Sequence, residues 1–397
     1  MEVTVKAKRV FLIVLDSFGI GEAQDAADFG DFGAHTLASV WDTGRLKIDT
    51  LRSLGIGNID GLSFVGQTEN PLGAVARIQE ASAGKDTTIG HWEIAGHISK
   101  TPLPTFPNGF DTEIIEKINR ISGREVLCNK PYSGTAVIDD FGAQAVENGA
   151  LIVYTSADSV LQIAAHVDVV PLEELYRICS ALRVELVGEN DGVGRIIARP
   201  FKGNSNDGFA RTPDRRDYSL EPPVTLLPEA VKNSGLSSIA IGKISDIFAG
   251  IGFSESCLTH SNVEGMEKTL EYIRKDFCGL CFVNLVDFDM LYGHRRDVVG
   301  YAEAISKFDA WLGKAIEELQ DGDVIMITAD HGCDPCALWS TDHTRENTPL
   351  VVYGKNIAPK NYGTRGAFAD IAATVAALLG VEFECDGEKI EFDGDNL

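Results

Sequence analysis

Three stretches of the chain are apolar without alternation, which is the pattern of strands buried on both faces of a sheet. They are Val10 to Leu15, Cys281 to Val286 and Val324 to Thr328. Each ends in acid. Asp16 closes the first, Asp287 and Asp289 with His294 follow the second, and Ala329 then Asp330-His331 follow the third. A further Asp-His pair, Asp342-His343, comes after a short loop. Strands that deliver Asp at their carboxyl ends predict an open α/β sheet with its site beyond those ends. Carboxylate and imidazole suit a divalent cation that must stay open to an oxygen substrate, so the pattern predicts one metal centre assembled from distant segments. For Asp16 alone, the competing reading is a helix N-cap after a β-turn.

Helical spacing marks 111–122, 171–186, 301–319 and 368–380, the last closed by Gly380. Further strand patterns lie at 151–158, 237–241 and 349–354. Two proline-rich stretches, TPLPTFPNGF (101–110) and EPPVTLLP (221–228), punctuate the chain. They predict hinges around an insert, giving a core over 1–103 and 221–397 and a cap over 104–220.

In AGKDTTIGHWEIAGH (83–97) the pair Thr87-Thr88 stands where a helix through Trp92 and Ile94 begins. Orphan backbone N–H groups there suit a phosphorylated hydroxyl, while an N-cap threonine is the plainer alternative. Lys85, Asp86 and His91 add more polarity than a cap requires.

Net charge is -24 over 397 residues, which argues against a nucleic-acid or anionic-membrane surface. The first apolar run is too short for a signal peptide and no stretch approaches a membrane span, so a cytoplasmic protein is expected. Against this acidic background Arg195, Arg199, Lys202, Arg211, Arg215 and Arg216 crowd one part of the cap. Guanidinium forks fit phosphate oxygens, so this is a candidate phosphate grip; a solvated basic loop is the alternative. Lys243, after the strand SSIAI, is another candidate. Of eight cysteines, Cys278/Cys281 and Cys333/Cys336 form C-x-x-C pairs. Their separation exceeds that of a compact zinc ribbon, and buried free thiols are expected rather than a four-cysteine zinc site or disulfides.

Taken together, VLDSFGIGEAQDA, GKDTTIGHWEIAG, NKPYSGT, YTSADSVLQIAAH, GRIIARPF, FARTPDRRDY, IGKISDI, NLVDFDMLYGHRRD, ADHGCDP and TDHTRE resemble, in order and along the whole chain, the phosphopentomutase family of the alkaline phosphatase superfamily. The resemblance implies an alkaline-phosphatase-like core sheet sandwiched by helices, with an inserted α/β cap. It implies two Mn²⁺ ions, with Zn²⁺ or another divalent ion as an alternative: Asp16, Asp330 and His331, with Thr87, match one site, and Asp289, His294 and His343 the other. Thr87 matches the threonine that carries the phosphoryl group, with Thr88 its local rival. Ser156, Asp158, Arg195, Arg211 and Lys243 match the substrate-binding set. The implied reaction interconverts ribose (or 2-deoxyribose) 1-phosphate and 5-phosphate through a bisphosphate, with a sugar bisphosphate priming the threonine and a mobile cap excluding water. Pentose phosphates are then the only partners expected, with no obligate protein partner. A phosphatase or phosphodiesterase of the same superfamily, and a non-catalytic metal-binding protein, are the competing readings. The chain departs from the family pattern at Ile89, at Cys333 and Cys336, and in a longer loop between His331 and His343.

Overall fold

The computed structural model describes residues 6–156, 158–188 and 192–393. The chain divides into two compact units, Met1–Thr101 with Pro222–Leu397, and Pro102–Glu221. Both crossings fall in the proline-rich stretches.

In chain order the strands are β1 (Arg9–Leu15), β2 (Ala74–Ile78), β3 (Val126–Pro131), β4 (Leu151–Thr155), β5 (Val160–His166), β6 (Arg195–Asn204), β7 (Gly208–Arg211), β8 (Arg216–Ser219), β9 (Ser237–Ile241), β10 (Glu255–Cys257), β11 (Gly279–Leu285), β12 (Asp323–Thr328), β13 (Thr348–Gly354) and β14 (Asn361–Arg365). The first unit holds an eight-stranded sheet in the order β10-β9-β11-β1-β12-β13-β2-β14. From β10 to β12 all pairings are parallel, and β13 runs antiparallel to both its neighbours.

The register of β1 positions the site. Leu15 lies opposite Leu285 of β11, and Val14 opposite Thr328 of β12. The residues that follow these strand ends therefore emerge side by side at the carboxyl edge. Every residue of β1 is buried, as unbroken apolar runs require, and each large side chain so covered contributes about 1.5–3 kcal/mol. Phe11, Ile13 and Leu15 join a core with Leu37, Leu51, Ile273, Ile305 and Phe308, from helices on one face. Helix Ala369–Leu379 packs against β1, and helix Leu227–Asn233 against β9 and β11. At the opposite end of β1, buried Arg9 donates to both carboxylate oxygens of Asp323 on β12 (2.7 and 2.5 Å), a bidentate lock away from the site.

The second unit has its own six-stranded sheet, β3-β4-β5-β6-β7 with β8 also on β6. Helices Thr112–Ser122 and Leu172–Glu185 cover one face through Ile114, Ile118, Ile178 and Leu182, and Ala136–Asn148 covers the other through Val137, Ile138 and Ala145.

Two local alternatives are corrected. No helix follows Asp16; Phe18 N–H donates to Leu15 O (3.0 Å) in a tight turn, so Asp16 is not an N-cap. The cap of helix Thr87–Ile94 is Asp86, which accepts from the N–H groups of Thr88 and Ile89, so neither threonine serves as the cap. All eight cysteines are free; Cys281 and Cys333 are buried, but Cys278 and Cys336 are exposed. Among the described residues no candidate metal cluster contains a thiol.

Candidate metal centre

Two groups of ligand atoms converge at the carboxyl edge of the core sheet: Asp16, Asp330 and His331, and Asp289, His294 and His343, each within 4.8 Å of one another. Short-range structure explains how. Gly332 and Thr344 exchange both backbone hydrogen bonds (3.1 and 2.8 Å), which closes the loop and stacks the His331 and His343 rings at 3.9 Å. Asp289 sits in a single π-helical turn, Phe288–Gly293, a wide turn often found at functional sites. It brings His294 Nε2 to 3.3 Å from Asp289 Oδ2, while His343 Nε2 lies 3.6 Å from Oδ1. Ser17 adopts φ 73°, and its N–H donates to Asp330 Oδ1 (3.1 Å).

Hydrogen bonds set the tautomers. His331 Nδ1 donates to Gly332 O (3.1 Å) and His294 Nδ1 to Thr341 O (2.6 Å). Both Nε2 atoms are thereby left as potential donors to a cation, oriented as metal-binding imidazoles generally are. His331 Nε2 is 3.2 Å from Thr87 Oγ1, 3.2 Å from Asp330 Oδ2 and 3.5 Å from Asp16 Oδ1. Thr87 reaches this position because Gly90 lets its helix touch the strand end: a Cβ there would stand 2.2 Å from Asp330 O.

One carboxylate oxygen on each of the three acids, Asp16 Oδ1, Asp289 Oδ1 and Asp330 Oδ2, is buried without a hydrogen-bond partner. Three such oxygens on one small surface are costly unless a cation neutralises them, so the donor set fits divalent ions. The electrostatics agree. Burial, then the charges of Asp330 and Asp289, push Asp16 up to about 7. Burial opposes protonation of His331, yet Asp330 and Asp16 hold its imidazole well above its ordinary value. Burial likewise works against His294, but Asp289 and Cys333 raise it to about 12. The same carboxylates that favour charged imidazoles would favour bound cations.

Lys243 is on the same unit, in the turn after β9, and its charge lowers the Asp16 pKa. The other expected substrate residues belong to the second unit. Ser156 and Asp158 occupy the turn between β4 and β5, Arg195 begins β6 and Arg211 ends β7. There Arg195 lies 3.6 Å from Asp217 and Arg211 donates to Tyr154 Oη (3.3 Å), its Nε buried and without a partner. Arg199 donates to Gln162 and is pulled down to about 10 by burial and by the nearby Arg215 and Arg211. Asp287, one of the strand-end acids, pairs instead with the backbone and side chain of Asn262 (2.7 and 2.9 Å).

The sequence pattern did not single out Asn284, Glu346 or Arg345. Asn284 bonds Asp16 Oδ2 (2.9 Å), and its signal is a polar residue in an otherwise apolar strand. Glu346 accepts from Gly21 N, Thr36 N, Thr36 Oγ1 and Thr344 Oγ1.

Fold and donor set define a divalent-metal enzyme, and a profile described as the Metalloenzyme superfamily matches residues 8–383. The chain is 54% identical over 384 residues to the phosphopentomutase of Lachnoclostridium phytofermentans, covering 96% of this chain and 98% of that one. It is 51% identical over 385 residues to the phosphopentomutase of Acetivibrio thermocellus, with the same coverage. The chain belongs to the phosphopentomutase family. Among solved structures, Leishmania mexicana phosphoglycerate mutase is similar with a TM-score of 0.48, 14% identity and 99% of each chain covered.

Proposed function

We propose that this enzyme interconverts α-D-ribose (or 2-deoxyribose) 1-phosphate and 5-phosphate by way of a phosphothreonine at Thr87. The observation that carries the reading is the Thr87 hydroxyl, 3.2 Å from His331 Nε2 and at the start of a helix, beside three orphaned carboxylate oxygens. Two Mn²⁺ ions, one held by Asp16, Asp330 and His331 and one by Asp289, His294 and His343, would neutralise charge on a transferring phosphoryl group and lower the hydroxyl pKa.

Phosphorylated Thr87 gives its phosphoryl group to the free 5-hydroxyl of the sugar 1-phosphate, so the new O–P bond forms as the threonine ester breaks. The bisphosphate turns over, and Thr87 Oγ1 takes the 1-phosphoryl group, releasing the 5-phosphate and restoring the phosphoenzyme. A sugar bisphosphate primes the cycle. The positive end of the helix dipole favours the anionic ester, while Asp86 keeps the N–H groups of Thr88 and Ile89. Ser156, Asp158, Arg195, Arg211 and Lys243 bind the sugar and its second phosphate, the arginines through their planar forks.

Pentose phosphates are the only partners in this reading, without nucleic acid, membrane or an obligate protein. Among the described residues no helix is long and apolar enough to cross a membrane. We place the enzyme in the cytoplasm, a reducing setting in which its eight free thiols would persist. The test is ³¹P NMR of protein loaded with Mn²⁺ and primed with ribose 1,5-bisphosphate: ribose 1-phosphate should give 5-phosphate. Inorganic phosphate as the main product would assign a phosphatase instead.

A further inference from the structure

His91 is fully buried in the helix that carries Thr87, and its ring connects groups the reaction must keep together. Its Nδ1 donates to Thr87 O at 2.8 Å, and Asp330 Oδ2 stands 3.1 Å from the same nitrogen, outside the hydrogen-bond direction. Because Nδ1 carries the proton, Nε2 is an acceptor, and Asn284 Nδ2 donates to it at 3.3 Å. The second N–H of that amide donates to Asp16 Oδ2 at 2.9 Å. The reversed amide would set its oxygen against the Asp16 carboxylate, so the orientation is fixed, and Asn284 Oδ1 is left buried without a partner. A strand made of GLCFVNL has no packing reason to hold such an amide, since leaving one polar atom unsatisfied costs about 1–3 kcal/mol.

We infer that His91 and Asn284 are positioning residues that hold the first turn of the Thr87 helix and the carboxylates Asp16 and Asp330 in one fixed arrangement. His91 Nδ1 binds the backbone of Thr87 and packs against Asp330 Oδ2; Asn284 joins the other ring nitrogen to Asp16. None of these contacts reaches Asp289, His294 or His343, so the pair acts on one cation site alone. Outer hydrogen bonds of this kind preserve the orientation in which carboxylates meet a cation.

The inference rests on the two-cation reading, and one titration separates their failures. Mn²⁺ is titrated into metal-free wild type, His91→Ala, His91→Asn and Asn284→Ala by calorimetry, with electron paramagnetic resonance on the loaded proteins. Wild type should bind two ions whose spins couple. His91→Ala and Asn284→Ala should each weaken one equivalent by about 10–100-fold, leave the other unchanged, and show an isolated Mn²⁺ signal at intermediate loading. His91→Asn places an amide N–H where Nδ1–H stood and should restore most of the lost affinity. If wild type binds fewer than two ions, the two-cation reading fails and this inference with it. If wild type binds two and all soluble variants match it, the positioning role alone is overturned. Should His91→Ala not fold, His91→Asn and Asn284→Ala decide between the same outcomes.

Discussion

Arg345 and Glu80 form an ion pair buried on both sides, with Arg345 Nη1 2.7 Å from Glu80 Oε2. The same guanidinium donates to Gly84 O (2.7 Å), Glu80 O (2.8 Å) and Asp25 Oδ2 (2.9 Å), and the Arg345 backbone N–H donates to Asp31 (2.9 Å). Arg345 follows His343 by two positions, and Gly84 precedes Thr87 by three. One side chain thus ties the loop of His343 to the loop that presents Thr87.

Removing that side chain should unfold more than it disarms. Arg345→Ala leaves the Glu80 carboxylate buried without its partner, a change that typically costs about 3–5 kcal/mol. Denaturant unfolding should show a loss of this order, and Arg345→Lys, a point charge without the fork, should recover only part. An Arg345→Ala protein as stable as wild type would mean that the loops are held from elsewhere.

The nucleophile is tested by mass. After incubation with a sugar bisphosphate, the peptide spanning Thr87 should gain about 80 Da, one phosphoryl group. Thr87→Ala should abolish both label and turnover. Thr88→Ala should keep some of both, because the Thr88 backbone N–H, not its hydroxyl, makes the contact to Asp86. Label retained in Thr87→Ala and lost in Thr88→Ala would move the role one residue.

Metal affinity should rise with pH, and the sign follows from the imidazoles. The neighbouring carboxylates raise the His331 imidazole well above its ordinary value and His294 to about 12, so both rings hold their protons more tightly than a free imidazole does. A bound cation must displace them, and each released proton makes apparent affinity about tenfold stronger per pH unit. The metal-free protein responds oppositely. A raised folded-state pKa contributes stability that is fully present below the unfolded imidazole value, about 6.5, and is lost as pH climbs towards the folded value. The gain in melting temperature on adding Mn²⁺ should therefore grow from about pH 6.5 upward. A gain that shrinks over that range would refute the proton-displacement account. Asp330→Asn and His343→Ala should remain folded, lose one Mn²⁺ equivalent each and be nearly inactive.

The core strands were legible because residues buried on both sides of a sheet are mostly apolar, and β1, β11 and β12 carry long apolar runs that Asn284 alone interrupts in their interiors. The acids at their ends stood out for the same reason: a carboxylate immediately after such a run needs an explanation. The pattern could not say which acid turns inward. Asp287 and Asp289 are two residues apart, yet Asp287 pairs with Asn262 while the π-helical turn carries Asp289 to the histidines. Arg345 and Asn284 were hidden because their partners lie 265 and 268 residues away in sequence, and only the folded chain brings them together. Asp86, not a threonine, caps the helix that begins at Thr87, because the side chain one residue earlier already satisfies two of its N–H groups.

The last prediction separates a mutase from a hydrolase that shares its metals and threonine. Both would form the phosphoenzyme, so substitutions among the core ligands lower both activities alike. The distinction lies in whether the sugar is retained long enough to receive the phosphoryl group before water does. Arg211 is the position on which the proposal turns: its Nε is buried without a partner and its terminal nitrogen donates to the Tyr154 hydroxyl, and in the proposed function its charge is assigned to an anionic ligand. Arg211→Ala should raise the KM for ribose 1-phosphate and increase the share of turnovers that end as inorganic phosphate, while Mn²⁺ binding is unchanged. Arg195→Ala should act in the same direction but less strongly, since Asp217 already lies 3.6 Å from its guanidinium. Sugar phosphates followed by ³¹P NMR, beside a colorimetric phosphate assay, give the partition directly. If Arg211→Ala leaves both KM and the phosphate fraction at wild-type values, the cap arginines do not retain the substrate, and the control over water must come from other groups.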